Sequence, residues 1–197
     1  MTYTPKTFSI GDLVGISKNS IEEHLKLYAG YVSNANSIQD TIRKLSDQKD
    51  IPSSELLELQ RRFAFEWGGM RNHEHYFSSL SGGPVLADKT SFLYLKIEKD
   101  FGSYTNFITL FKSVASTRGI GWTILFYDRY NDELLIQWVD EQHIGHLSDC
   151  SIILALDMWE HSYVADYKPS GKKHYIEDFF INLNWEVVEK TYLSVKI

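Results

Sequence analysis

The segment "DMWEHSYVADY", residues 157–167, delivers Asp157, Glu160 and His161 within five residues, directly behind the apolar run "SIILAL". A buried strand that ends in Asp157 leaves a carboxylate where water is scarce, and such a charge must be paired or bound to a metal ion. Seven histidines stand at 24, 73, 75, 143, 146, 161 and 174. Two of these are placed on apolar helix faces: His24 level with Tyr28 and Tyr31, and His73 among Trp67, Tyr76 and Phe77. Imidazoles plus a carboxylate on rigid elements suit a first-row transition ion such as manganese, iron or zinc. Spacing alone does not make this specific, because any one of these histidines reads equally well as a surface or satisfied core residue. Neither an HExxH nor a paired-Cys motif supports zinc. A zinc hydrolase would also need an open coordination position, a base and a substrate pocket, and the sequence offers no base or pocket.

The elements that must hold these residues are legible in the periodicity. "SKNSIEEHLKLYAGYVSNANSIQDTIRKLSD" spaces Ile21, Leu25, Tyr28, Val32 and Ala35 by three and four, which predicts a helix capped at Ser17 or Ser20. "PSSELLELQRRFAFEWGGMRNHEHYFSSL" predicts a second helix opening at Pro52, with Gly68 and Gly69 interrupting its stripe. The two should pack as an antiparallel hairpin. "LSGGPVLAD" breaks both helix and strand and marks the linker. Two further helices divided at Gly102 follow. Then come three short strands, "GWTILFYD", "ELLIQWVD" and "CSIILALD", the first two joined by the turn "RYND", and a helical tail. The expected fold class is α+β. A helical hairpin domain spans 1–84, and a domain spanning 85–197 carries a small antiparallel sheet of about three strands flanked by helices.

The chain has 197 residues, 43% of them apolar and 23% charged, as expected for one or two soluble globular domains. With 12 Tyr, 11 Phe and 5 Trp it can build a core of large rings. A net charge of -6 argues against general binding to nucleic acid or anionic membrane. Cys150 is the single cysteine, so no internal disulfide can form, in keeping with a reducing compartment. The N-terminal stretch shows no basic region followed by an apolar run. No apolar stretch approaches the roughly 20 residues that span a membrane. A cytoplasmic location is the expectation.

Taken together, "DMWEHSY", "SIEEHLKLYAGYVSNAN", "GGMRNHEHYFSSLS", "DFGSYTNFITLFKSVA", "GIGWTILFYD" and "INLNWEVVEK" resemble, in order, the landmarks of the iron/manganese superoxide dismutase family, whose signature reads Asp-x-Trp-Glu-His-[Ala/Ser]-aromatic-aromatic. The resemblance implies His24, His73, Asp157 and His161 as ligands of one manganese or iron ion. It implies dismutation of superoxide to dioxygen and peroxide by redox cycling of that ion. It further implies Trp122 and Trp159 as walls of the site, and Glu160 as a residue that reaches across a homodimer interface to the ligand His161 of the second subunit. The alternative is a non-catalytic, metal-binding structural or interaction member of the same fold.

The sequence departs from the family pattern in several places. The gateway tyrosine of the family lies eight residues after the first ligand; here Tyr28 stands at plus four and Tyr31 at plus seven. Tyr31 is the expected gateway, with Tyr28 as competitor. Val164 replaces an aromatic, and Tyr28 a histidine, of a pair that meets at the family's interface. Lys172 stands where an arginine guards the substrate funnel, and with Lys26 and Arg71 it is a candidate for attracting the anion. Gly69 occupies the position from which iron-type relatives supply an amide to metal-bound solvent. Manganese-type relatives supply it from the C-terminal part, where Gln142, or His143 one register away, answers. Gly69 with Gln142 resembles the manganese arrangement, with use of either metal open.

Overall fold

The computed structural model describes residues 2–46 and 54–196. Helices α1 (Lys18–Ser46) and α2 (Ser54–Leu80) are antiparallel, since His24 lies against Phe77, Tyr31 against Gly69 and Asn34 against Glu66. The buried side of α1 carries Ile21, Tyr28, Val32 and Ala35 of the expected stripe together with His24 and Tyr31, while Leu25 is only half-buried. Pro52, expected to open α2, lies outside the described residues. Gly68 and Gly69 do not interrupt α2, which runs through them unbroken. A glycine pair weakens a helix by about 1 kcal/mol per residue relative to alanine. Tertiary packing offsets that, because both glycines are buried contact points.

An N-terminal arm crosses the hairpin. Tyr28 Oη accepts from the Lys6 N–H at 2.9 Å, and Gly82 N–H donates to the Ser9 carbonyl at 2.8 Å. Beyond the linker, α3 (Phe92–Phe101) and α4 (Tyr104–Ala115) are separated by Gly102, whose φ of 78° closes α3, while Ser91 and Ser103 cap their N-termini. Strands β1 (Gly121–Asp128), β2 (Glu133–Asp140) and β3 (Cys150–Asp157) form one antiparallel sheet in the order β2-β1-β3. Central β1 is buried along nearly its whole length, so it reads as a continuous apolar run with no alternation. Its register sets Trp122 opposite Asp157. A short 3-10 turn, Glu160–Ser162, and helix α5 (Val164–Tyr167) lead into α6 (Lys172–Asn182) and α7 (Trp185–Val195). The helical tail is thus two helices, broken where Asn184 turns out of helical geometry and caps α7 through its side chain.

Trp122, Tyr76, Phe77, Phe107, Phe111 and Phe179 are fully buried, joining both halves in one core. Each such ring contributes on the order of 1.5–3 kcal/mol by leaving water.

Candidate metal centre

Four elements meet at Asp157. His24 comes from α1, His73 from α2, Asp157 from the end of β3 and His161 from the turn behind it. One ligand atom from each lies within 4.8 Å of all the others. The Trp159 backbone N–H occupies Asp157 Oδ1 at 2.8 Å, which leaves Oδ2 for the three imidazoles. Their Nε2 atoms approach Oδ2 at 3.1 Å from His24, 3.1 Å from His161 and 3.5 Å from His73. Ser162 Oγ donates to the Asp157 carbonyl at 3.0 Å and holds the turn that brings His161 round.

The residues present fit a metal ion. His73 Nδ1 can only donate to the Gly69 carbonyl, at 2.6 Å, so the lone pair of the neutral ring sits on Nε2. That Nε2 is buried and has no hydrogen-bond partner. An unpartnered acceptor inside a core is costly, and a cation placed among the four donors satisfies it. Burial keeps His73 neutral by pushing its pKa down to about 3. Burial likewise lowers His24 against the opposing pull of Asp157. Burial would raise Asp157, yet the charge of His161 and the hydrogen bonds from His161 and His24 hold it well below the usual carboxylate range. The set therefore offers a carboxylate and imidazole nitrogens, the donor chemistry of a first-row transition ion. A bond that fixes a ligand's tautomer, as Gly69 does for His73, is a common companion of such sites.

Around these donors a second ring is locked by hydrogen bonds. Trp122 Nε1 donates to Gln142 Oε1 at 2.8 Å, and Gln142 Nε2 donates to Tyr31 Oη at 2.9 Å. The Tyr31 ring lies 5.1 Å from that of His73, with its hydroxyl accepting from Gln142. The ring of its competitor Tyr28 stacks on His73 at 6.4 Å, but its hydroxyl turns away, donating to Glu74 at 3.3 Å and receiving the arm at Lys6. Its Oη therefore serves the arm and Glu74. The His143 ring lies against Phe65 at 5.9 Å, while it is Gln142 that bonds Tyr31. Trp159 stacks on His161 at 5.9 Å and donates Nε1 to the Glu141 carbonyl. Glu160 is exposed beside it.

Gly69 also makes a close packing contact. The space beside it is filled by the ring of Tyr31, and a Cβ at 69 would lie 2.4 Å from that ring. Two residues that sequence reading missed support Gln142. A Cβ at Gly68 would lie 2.1 Å from the Gln142 carbonyl oxygen, and Asn72 Nδ2 donates to that oxygen at 3.0 Å. Asn72 stands next to the ligand His73, but nothing in its local pattern shows a partner 70 residues away.

Tyr31 and Trp159 also border an open depression of about 400 Å³ whose other walls are Leu27, Gly30, Asn34, Arg62, Phe65 and Glu66. The three expected cations are engaged elsewhere. Lys26 pairs with Glu23 at 2.6 Å, Arg71 with Glu74 at 2.8 Å, and Lys172 donates to the Thr117 carbonyl at 2.7 Å.

A helical hairpin docked on a three-stranded α+β part, with three imidazoles and a carboxylate converging between them, defines a mononuclear metalloprotein. Residues 89–191 match the family described as iron/manganese superoxide dismutases, C-terminal domain. The chain is 36% identical to "Superoxide dismutase [Fe]" of Tetrahymena pyriformis, over 87% of this chain and 88% of the relative. It is 33% identical to "Superoxide dismutase [Fe]" of Aquifex pyrophilus, over 92% and 86%. It is 29% identical to "Superoxide dismutase [Mn], mitochondrial" of Glossina morsitans morsitans, over 90% and 81%. The chain belongs to the iron/manganese superoxide dismutase family.

Proposed function

We propose that the protein is a superoxide dismutase that converts two superoxide anions to dioxygen and hydrogen peroxide with one manganese or iron ion held by His24, His73, Asp157 and His161. The observation that carries this is the buried four-donor cluster with the His73 Nε2 lone pair left unpartnered. When bound, the ion supplies one-electron redox chemistry between its divalent and trivalent states.

The chain's own residues manage protons and access. Burial, with Asp157 and Glu66 nearby, raises the Tyr31 hydroxyl well above its ordinary range, so it remains protonated. Because it accepts from Gln142, its own proton is free to be given toward the site and replaced from the depression. Gln142 cannot rotate away, since Trp122 holds its oxygen. The Trp122 and Trp159 rings exclude bulk water and limit entry to small species.

Manganese is the favoured ion on this reading. Gly69 brings no amide from α2, whereas Gln142 brings one from the C-terminal part; relatives named for iron and for manganese both occur, those named for iron being the more similar here. Exposed Glu160, adjacent to His161, supports a homodimer in which it bonds the ligand histidine of a second copy across a two-fold axis. A cytoplasmic location, suited to the unpaired Cys150, belongs to the same proposal.

Metal analysis of the purified protein, followed by dismutation assays after reloading with manganese, iron or zinc, tests the function. Activity with manganese or iron is expected. A protein that takes up these ions and leaves superoxide decay at its spontaneous rate would overturn it.

A further inference from the structure

An anionic substrate has to reach a site in a chain whose net charge is -6. Among the described residues bordering the depression above Tyr31, Arg62 is the cation. Its guanidinium lies 3.9 Å from the Phe65 ring centroid and bonds Glu66 through Nε at 2.9 Å and Nη2 at 2.8 Å. Glu66 is only 3% exposed, and its other oxygen accepts from Asn34 Nδ2 at 3.2 Å. A carboxylate in this wall would repel an incoming anion if it stood alone. The Arg62 side chain, 53% exposed, both neutralises it and presents N–H groups to solvent at the mouth.

Resting on the functional reading above, we infer that Arg62 is the residue that draws superoxide to the entrance, and that Glu66 sets both its position and the strength of its attraction. Lys172 does not fill this role. Its ammonium is tied to Thr117, lies 5.6 Å from the Trp138 ring centroid, and is not part of the depression's wall. The stack on Phe65 matters because it fixes a long, otherwise mobile side chain over the opening. Paired and half-exposed, the group acts by biasing encounter, which salt screens.

The test uses the metal-loaded protein and its variants Arg62→Gln, Arg62→Lys, Glu66→Gln and Lys172→Gln. The rate constant kcat/KM for superoxide is followed from about 0.01 M to about 0.15 M salt, over which the screening length falls from roughly 30 Å to roughly 8 Å. Arg62→Gln should lower kcat/KM about three- to tenfold at low salt and flatten its salt dependence, at unchanged metal content. Arg62→Lys keeps the charge and should keep the slope. Glu66→Gln should raise the low-salt rate, and Lys172→Gln should match the parent. Azide affinity, read by calorimetry, should follow the same order. A parent-like rate and slope in Arg62→Gln, a flat slope in Arg62→Lys, or a loss confined to Lys172→Gln would overturn the inference. Because azide binding needs no turnover, a parent protein that binds azide through Arg62 without dismutating superoxide would refute the functional reading and leave Arg62 as an anion-attracting group alone.

Discussion

Gln142 occupies its place through contacts at both ends and on its backbone. Trp122 and Tyr31 hold its amide, while Gly68 and Asn72 admit and bond its carbonyl. Gln142→Ala should therefore keep the metal, checked by elemental analysis, and lose most of its turnover. Asn72→Ala should show a weaker form of the same split, because it releases the backbone and leaves the amide. Gly69→Gln should be worse than either, driving a side chain into the Tyr31 ring at an overpacking cost of about 1–3 kcal/mol. A drop in melting temperature together with lost activity would show it. At this scale the four ligands and Gln142 were legible because residue type, burial and family landmarks agree on them. Gly68, Asn72 and Arg62 were not, because their partners are brought near only by the fold.

Helix α1 carries two tyrosines whose hydroxyls serve different elements. Tyr31 turns toward β1 and the Gln142 loop, while Tyr28 holds the N-terminal arm and Glu74. Tyr28→Phe leaves the Lys6 N–H without its acceptor, so it should cost about 1–3 kcal/mol of stability. Thermal unfolding reads that loss, and dismutation by the folded, loaded variant should stay close to the parent's. Strong loss of turnover with full metal content would instead make Tyr28 a participant. Strand bounds were readable to the residue, since β-branched and aromatic runs end in Asp128, Asp140 and Asp157. The direction in which Tyr28 points was not readable, because a helical stripe assigns a face and says nothing of which partner packs there.

In the whole molecule, hairpin and sheet share one core, so charges placed between them affect global stability. His146 packs on Phe126 at 5.6 Å, and its Nε2 is buried without a partner. Burial pushes its pKa below the ordinary value of 6.5, against a bond to the Gln142 backbone, with His143 adding to the lowering. The unfolded chain then binds a proton more readily than the folded one. Stability is therefore full above the unfolded value and falls as pH drops through it. Denaturant midpoints measured between about pH 5 and pH 8 should rise with pH, and His146→Asn should flatten part of that rise. A variant with the parent's slope would show that other groups carry it.

The contact between Gly69 and Tyr31 also bears on how this chain can change by descent. A chain supplying an amide from position 69 would have to move the Tyr31 ring that fills the space beside it, because a side chain there meets that ring. A side chain at 69 would be easier to accept once a smaller residue had replaced Tyr31. Positions 31 and 69 are thus sterically linked, and laboratory selection for a longer side chain at 69 should recover paired changes at both before it recovers either alone.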